Sequence, residues 1–171
     1  MYELAPDEKK TTIMVYSANK LVHGDLITRQ SVKVSILPRM QAFANYLHFL
    51  NAQIWLFGGG EPRVVKYAEY FFPMDRMIGL HIAPPNCDPP DFTAGLANRT
   101  MMSISMILGV FVVKGQIRVS TQVPLAGNLE LAHKNWLSVY EADISSPFMV
   151  QMPVIHVPLI LVKPSEASFG I

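Results

Sequence analysis

One pattern is written twice along this chain, and that repeat restricts the architecture more than any other feature. VHGDLI (22–27), NYLHFLNAQI (45–54) and FPMDRMIGLHI (72–82) are answered by VKGQIR (113–118), NWLSVYEADI (135–144) and VKPSEASFGI (162–171). Gly24 answers Gly115, Leu47 answers Leu137, Ala52 answers Ala142, Ile54 answers Ile144, Pro73 answers Pro164 and Gly79 answers Gly170. The separations are 91, 90, 90, 90, 91 and 91 residues, so the spacing barely drifts. In a chain of 171 residues, two units of about 60–80 residues follow, each near the lower limit for independent folding. Units that small bury too little surface alone, so the two are expected to pack together.

Each unit reads as five short strands. In the first, residues 12–16 and 21–28 are rich in strand formers around an Asn19-Lys20 turn. Gly24 sits inside the second run, where a glycine marks a bend or bulge. Residues 32–37 carry blurred period-two alternation and are expected to form a strand ended by Pro38; residues 39–44 are a short helix or a loop. A long strand follows over 46–57, a turn at Gly58, Gly59 and Gly60, a return strand over 63–72, a turn at 73–75 and a last strand over 76–82. A helical turn is expected at 6–10. Residues 83–91, APPNCDPPD, contain four prolines and mark a linker, with a brief helix over 92–99. The second unit repeats the strands over 102–113, 114–120, 136–144, 154–162 and 167–171. Residues 121–131 read as irregular, with turns at 145–151 and 164–166.

A bent pair carrying V-x-G-x-I, a strand of the form aromatic-L-x-aliphatic-x-x-A, a hairpin and a tight turn into a very short strand together resemble the Sm-like small β-barrel; SH3-like barrels share much of this topology. The resemblance implies a mainly β fold of two tandem small five-stranded Sm-like/SH3-like barrels with short helices. The first unit is placed at 12–82, the proline-rich linker and short helix at 83–100, and the second unit at 101–171. RNA binders of that family place an asparagine before the central leucine and an arginine-glycine pair in the last turn. Here those positions hold Tyr46 and Trp136, and Pro73-Met74 and Lys163-Pro164, so the family's nucleotide pocket is not retained. The resemblance also implies assembly, because the fourth strand of one such barrel pairs with the fifth strand of its neighbour. The two units are expected to pair in that manner, with copies continuing into a ring or a filament.

Composition narrows the function. Charged residues are only 16% of the chain and apolar residues 50%, against about 25% charged in an average soluble domain. Much of the surface is therefore expected to be buried against other copies or a larger assembly. The net charge is +1 and no basic run exceeds Lys9-Lys10, which disfavours nucleic acid as a partner. Base stacking on Tyr46 and Trp136 remains the alternative reading. Cys87 is the sole cysteine, so no internal disulfide forms. The N-terminus lacks the order of a secretory signal, and the apolar runs 101–113 and 157–162 are shorter than the ~20 residues of a membrane-spanning helix. A cytoplasmic location is the expectation.

No catalytic constellation is legible. His23, His48, His81, His133 and His156 show no metal-ligand spacing. The three glycines are not followed by Lys-Ser or Lys-Thr, no serine has a G-x-S-x-G context, and Asp88 and Asp91 fall in the linker. The ten methionines, clustered at Met101, Met102 and Met106 and at Met149 and Met152, are read as core filling. No cofactor, metal or catalytic residue is expected. The reading is a non-catalytic scaffold that self-associates or docks on a larger assembly through strand edges and apolar faces, ahead of RNA binding or of a small-ligand sensor with its site between the barrels.

Overall fold

The computed structural model describes residues 2–40, 44–58, 60–89, 91–92, 97–149 and 152–171. Its strands are β1 (Glu8–Ser17), β2 (Lys20–Arg29), β3 (Tyr46–Leu56), β4 (Arg63–Pro73), β5 (Gly79–Ile82), β6 (Arg99–Leu108), β7 (Phe111–Ser120), β8 (Leu137–Ser145), β9 (Ile155–Val162) and β10 (Ala167–Gly170). One α-helix, α1, spans Leu125–Ala132, and short 3-10 helices span Val34–Arg39, Met74–Arg76 and Pro164–Glu166. The strands form one 10-stranded antiparallel sheet in the order β10-β6-β7-β8-β9-β5-β1-β2-β3-β4. Each half runs fifth, first, second, third, fourth. The fifth strand of the first half then pairs with the fourth of the second, through Gly79–Val162 and Leu80–Leu161.

The duplication is clearest at the bulges. The β2–β3 register shifts between His23 and Asp25, and the β7–β8 register between Lys114 and Gln116. The residue bulged opposite each glycine, Asn51 and Glu141, has φ of 51° and 47°. A β-carbon on Gly24 would lie 3.1 Å from Ala52 Cα and 3.2 Å from Leu50 O; on Gly115 it would lie 3.2 Å from Ala142 Cα and 2.8 Å from Tyr140 O. Both glycines therefore let the facing backbone come close where the strand bends. Leu47 and Leu137, Ala52 and Ala142, and Ile54 and Ile144 stand at matching places around these bulges.

The last two equivalences are corrected by the register. Ile13 faces Gly24 and Ile104 faces Gly115, which aligns Tyr16 with Ile107. Tyr16 pairs with Gly79, but Ile107 pairs with Ser168. Gly79 thus corresponds to Ser168 rather than Gly170, and the matching 3-10 helices set Pro73 opposite Lys163 rather than Pro164. The second half is one residue shorter between that helix and its last strand.

The chain is mainly β as expected, but the ladder is one open sheet and does not close into two barrels. Strand β5 lies against β9, the pairing of a fifth strand with the other unit's fourth strand that was expected between the units, and neither β5 nor β10 pairs with the fourth strand of its own half. Strand β1 begins at Glu8, where a helical turn was expected. Residues 34–39 are a 3-10 helix, because Pro38 and packing of Val34 and Leu37 in the core outweigh the blurred alternation. The apolar run 102–113 is two strands folded back at Gly109, whose φ of +60° is open to glycine. Residues 125–132 form a helix despite Pro124, which stands at its N-cap. The expectations at 41–43, Gly59, 93–96, 150 and 151 lie outside the described residues.

Two large clusters make the core. One gathers Ile13, Val15, Val22, Leu26, Leu47, Phe49 and Leu80 of the first half. The other is built on Phe111, Val113, Ile144 and Ile160 of the second half, and takes in Tyr16, Leu21 and Phe57 of the first. Phe111 meets Tyr16 and Phe57 edge-on at 4.8 and 5.4 Å. The halves are therefore joined by packing as well as by the β5–β9 ladder, and each fully buried large side chain contributes about 1.5–3 kcal/mol. Met106 is buried and Met102, Met149 and Met152 pack against this cluster, while Met101 is exposed. No helix among the described residues is long and apolar enough to cross a membrane.

Candidate functional site

Strand β4 reads RVVKYAEYFFP and pairs with β3 alone. Among the described residues its other edge has no neighbour, and neither has the outer edge of β10. An unpaired edge offers a row of amide and carbonyl groups, which proteins blunt with charges, proline or short strands. Here Lys66, Glu69 and Pro73 interrupt the strand, but Val64, Tyr67 and Phe71 stay exposed, the last at 53%. The Phe71 ring stacks on His48 at 4.5 Å and 13°, and Tyr2 meets His48 edge-on at 4.7 Å. His48 Nε2 lies 2.7 Å from Glu69 Oε1. Tyr67 stacks on Tyr70 at 5.6 Å. An aromatic face thus adjoins a free edge.

The equivalent strand of the second half is covered. Pairing across the third strands sets Phe71 opposite His48 and Leu161 opposite Ser138, and sets Tyr67 opposite Ala52 and Val157 opposite Ala142. Phe71 and Tyr67 are 53% and 49% exposed, whereas Leu161 and Val157 are 2% and 1% exposed. Val157 lies in the core cluster built on the second half, whereas Leu161 is covered by the first half, which lays β5 along β9 and wraps the outer face of β8 and β9 with two segments. Arg39, from the 3-10 helix, donates to Asp91 (2.7 Å), to Ser138 Oγ (2.7 Å) and to the Trp136 carbonyl (3.3 Å). Ser138 and Tyr140 hydroxyls also donate to Asp91, at 2.6 and 2.5 Å. Phe92 packs edge-on against Tyr140 at 5.0 Å, beneath Arg118. Burial opposes ionisation of Asp91, but the donors Ser138, Tyr140 and Arg39 outweigh it and hold the carboxyl below its usual range. Burial, then the Asp91 bond, pushes Tyr140 up to about 12. Asp91 is a structural acceptor locking the linker down.

The two aromatic positions singled out by sequence have different surroundings. Tyr46 heads β3 opposite Pro73 and is 55% exposed. Trp136, just before β8, is half-buried and packs against both the first-half core and the cluster of Tyr140, Leu159 and Leu161. The structure does not bring them together. His81 is buried on β5 and donates from Nδ1 to the Ile82 carbonyl at 2.7 Å, which leaves Nε2 to accept the Tyr16 hydroxyl at 2.8 Å. His156 lies exposed between Asp143 (2.8 Å) and Glu141 (3.3 Å), and the Asp143 bond leads the interactions raising its pKa. Among the described residues, no group of three His, Cys, Asp or Glu side chains is placed to hold a metal ion. The seam beside His81, Val34 and Leu161 encloses ≈ 10 Å³, room for about one water, while a more open cleft bordered by Asn19 and Arg76 of the first half and Glu166 of the second measures ≈ 590 Å³.

Sequence reasoning missed the bare face of β4 and the role of Arg39 and Asp91. The one available signal was RVVKYAEYFFP itself, in which Lys66 and Glu69 interrupt a run of apolar and aromatic residues. No protein-family model, no curated protein and no solved structure matches the chain.

Proposed function

We propose that this protein is a non-catalytic scaffold built of two tandem Sm-like units, which self-associates or docks on a larger assembly through strand edges and apolar faces. The observation that carries the reading is β4, an edge strand whose outer side is unpaired among the described residues, with Val64, Tyr67 and Phe71 exposed beside it. Matching strand order and matching bulges support the tandem units. Strand addition to such an edge supplies main-chain hydrogen bonds, and the aromatic face supplies buried area.

Molar mass by light scattering, measured against protein concentration, tests it. The wild-type chain is expected to run above the mass of one copy, or to gain mass with its partner. A variant carrying Tyr67→Lys and Phe71→Glu, with unchanged circular dichroism, is expected to lose that mass. A monomer at every concentration that captures no partner overturns the reading. Exposure of Tyr46 keeps the RNA alternative in view: salt-sensitive binding of single-stranded RNA, lost on Tyr46→Ala, would replace the scaffold reading.

A further inference from the structure

The two matching halves act as controls for each other, and they part where the second strand runs into the third. In the first half that connection carries the 3-10 helix Val34–Arg39, which seals the core. Val34 and Leu37 are 4% and 0% exposed, in one cluster with Leu26 and Leu47. In the second half the connection carries α1, which has no buried residue. Leu125 and Leu129 are only partly buried against the core, and Leu131 is 70% exposed. Between α1 and β7 lies a cleft of ≈ 350 Å³, lined by Ile117, Val119, Val123, Leu129, Leu131 and Leu137. We propose that this cleft binds an aliphatic carboxylate, a fatty acid of medium chain length, with its tail beneath α1 and its head group on Arg99.

The volume falls at the small end of ligand sites, about 300–1,000 Å³, and an apolar lining with few polar groups is their usual character. The cleft is also preformed. Asn128 ties α1 to the end of β7, its Oδ1 accepting from Ser120 N–H at 2.8 Å and its Nδ2 donating to the Val123 carbonyl at 2.8 Å. Polar bonds at one end thus position the helix, so the space under its apolar residues does not depend on a guest. Charge selects the guest. Arg99 borders the cleft at an exposed position, and among the described residues no carboxylate pairs with it. Neither Asp nor Glu lines the cleft among the described residues. A guanidinium fork matches a carboxylate in shape and sign. At the place of Arg99 the sealed first half has Glu8, which accepts from the Tyr2 hydroxyl and the Ala5 N–H. The site lies on the second half, whereas the edge behind the scaffold reading is on the first, and neither needs the other.

Isothermal titration calorimetry with decanoate, kept well below its micellar range, tests the site, and amide NMR shifts locate it. Saturable binding is expected, with a negative heat-capacity change from apolar burial and shifts concentrated on residues 117–120 and 123–132. Octanoate, two methylenes shorter, is expected to bind roughly fifteenfold more weakly, at ~0.8 kcal/mol per methylene. Ala132→Phe fills the cleft from α1 and is expected to abolish binding with circular dichroism unchanged. Arg99→Gln, at an exposed position, is expected to weaken decanoate severalfold and leave decanol unaffected; it decides the matter where Ala132→Phe does not fold. Absence of saturable binding overturns the proposal, as do shifts confined to the β4 face or full-strength binding by folded Ala132→Phe. Unchanged decanoate affinity in Arg99→Gln overturns it too, because the carboxylate is then not held at the mouth of the cleft.

Discussion

At the residue scale, small groups at fixed places set large costs. Gly115 has no room for a side chain: a β-carbon would sit 2.8 Å from both Tyr140 O and Val139 Cγ1. Gly115→Ala is expected to destabilise by about 1–3 kcal/mol by overpacking. Gly24→Ala costs less, since its closest approach is 3.1 Å; urea unfolding of the two variants checks the order. His81 is the acid-sensitive group. Burial holds it neutral and lowers its pKa from 6.5 to about 4. The unfolded chain therefore takes up a proton first as pH falls, and the stability held by neutral His81 drops between about pH 6.5 and 4, this residue contributing no slope above 7. The loss reaches roughly 3 kcal/mol at about 1.4 kcal/mol per pH unit. Unfolding free energy measured against pH should show this slope, and His81→Leu should flatten it.

At the scale of elements, a loop and a strand end decide what each half can touch. Asp91 accepts from Arg39, Ser138 and Tyr140, so Asp91→Ala leaves three donors without their acceptor. A loss of about 1–3 kcal/mol is expected, less where water reaches the freed groups. Hydrogen exchange in β8 and in residues 83–92 should rise before the rest of the sheet responds. Pro73 acts in the opposite sense, as an edge-blunting residue at the end of β4. Pro73→Ala restores an N–H where Lys163 has one. It is expected to tighten association several-fold, by about 0.5–1.5 kcal/mol for one hydrogen bond, read as a lower midpoint in dilution light scattering.

Over the whole molecule, the two halves are tied by a shared core. Tyr16, Leu21 and Phe57 belong by sequence to the first half and by packing to the cluster around Phe111. Thermal unfolding should therefore be one transition, with near-ultraviolet and far-ultraviolet signals coincident. Two separated transitions would show that the β5–β9 ladder and this cluster couple the halves weakly.

The strands over 46–56, 63–73 and 155–162 were legible because alternation, aromatic content and turn glycines are local properties of the chain. So were the two bulges, which lie at the paired glycine positions Gly24 and Gly115. The 3-10 helix at Val34–Arg39 and the helix α1 were not legible, because packing decided them against weak local signals. Nor was the one-residue slip that sets Gly79 opposite Ser168; only the ladder shows it. The sequence by itself determined that the chain is mainly β and where β2 and β7 bend. Only the tertiary structure decided which fourth strand is covered and which is bare. A strand edge has two sides and no memory of its own half, so β5 could settle on either fourth strand, and it lies on β9. That choice buried Leu161 and left Phe71 in water.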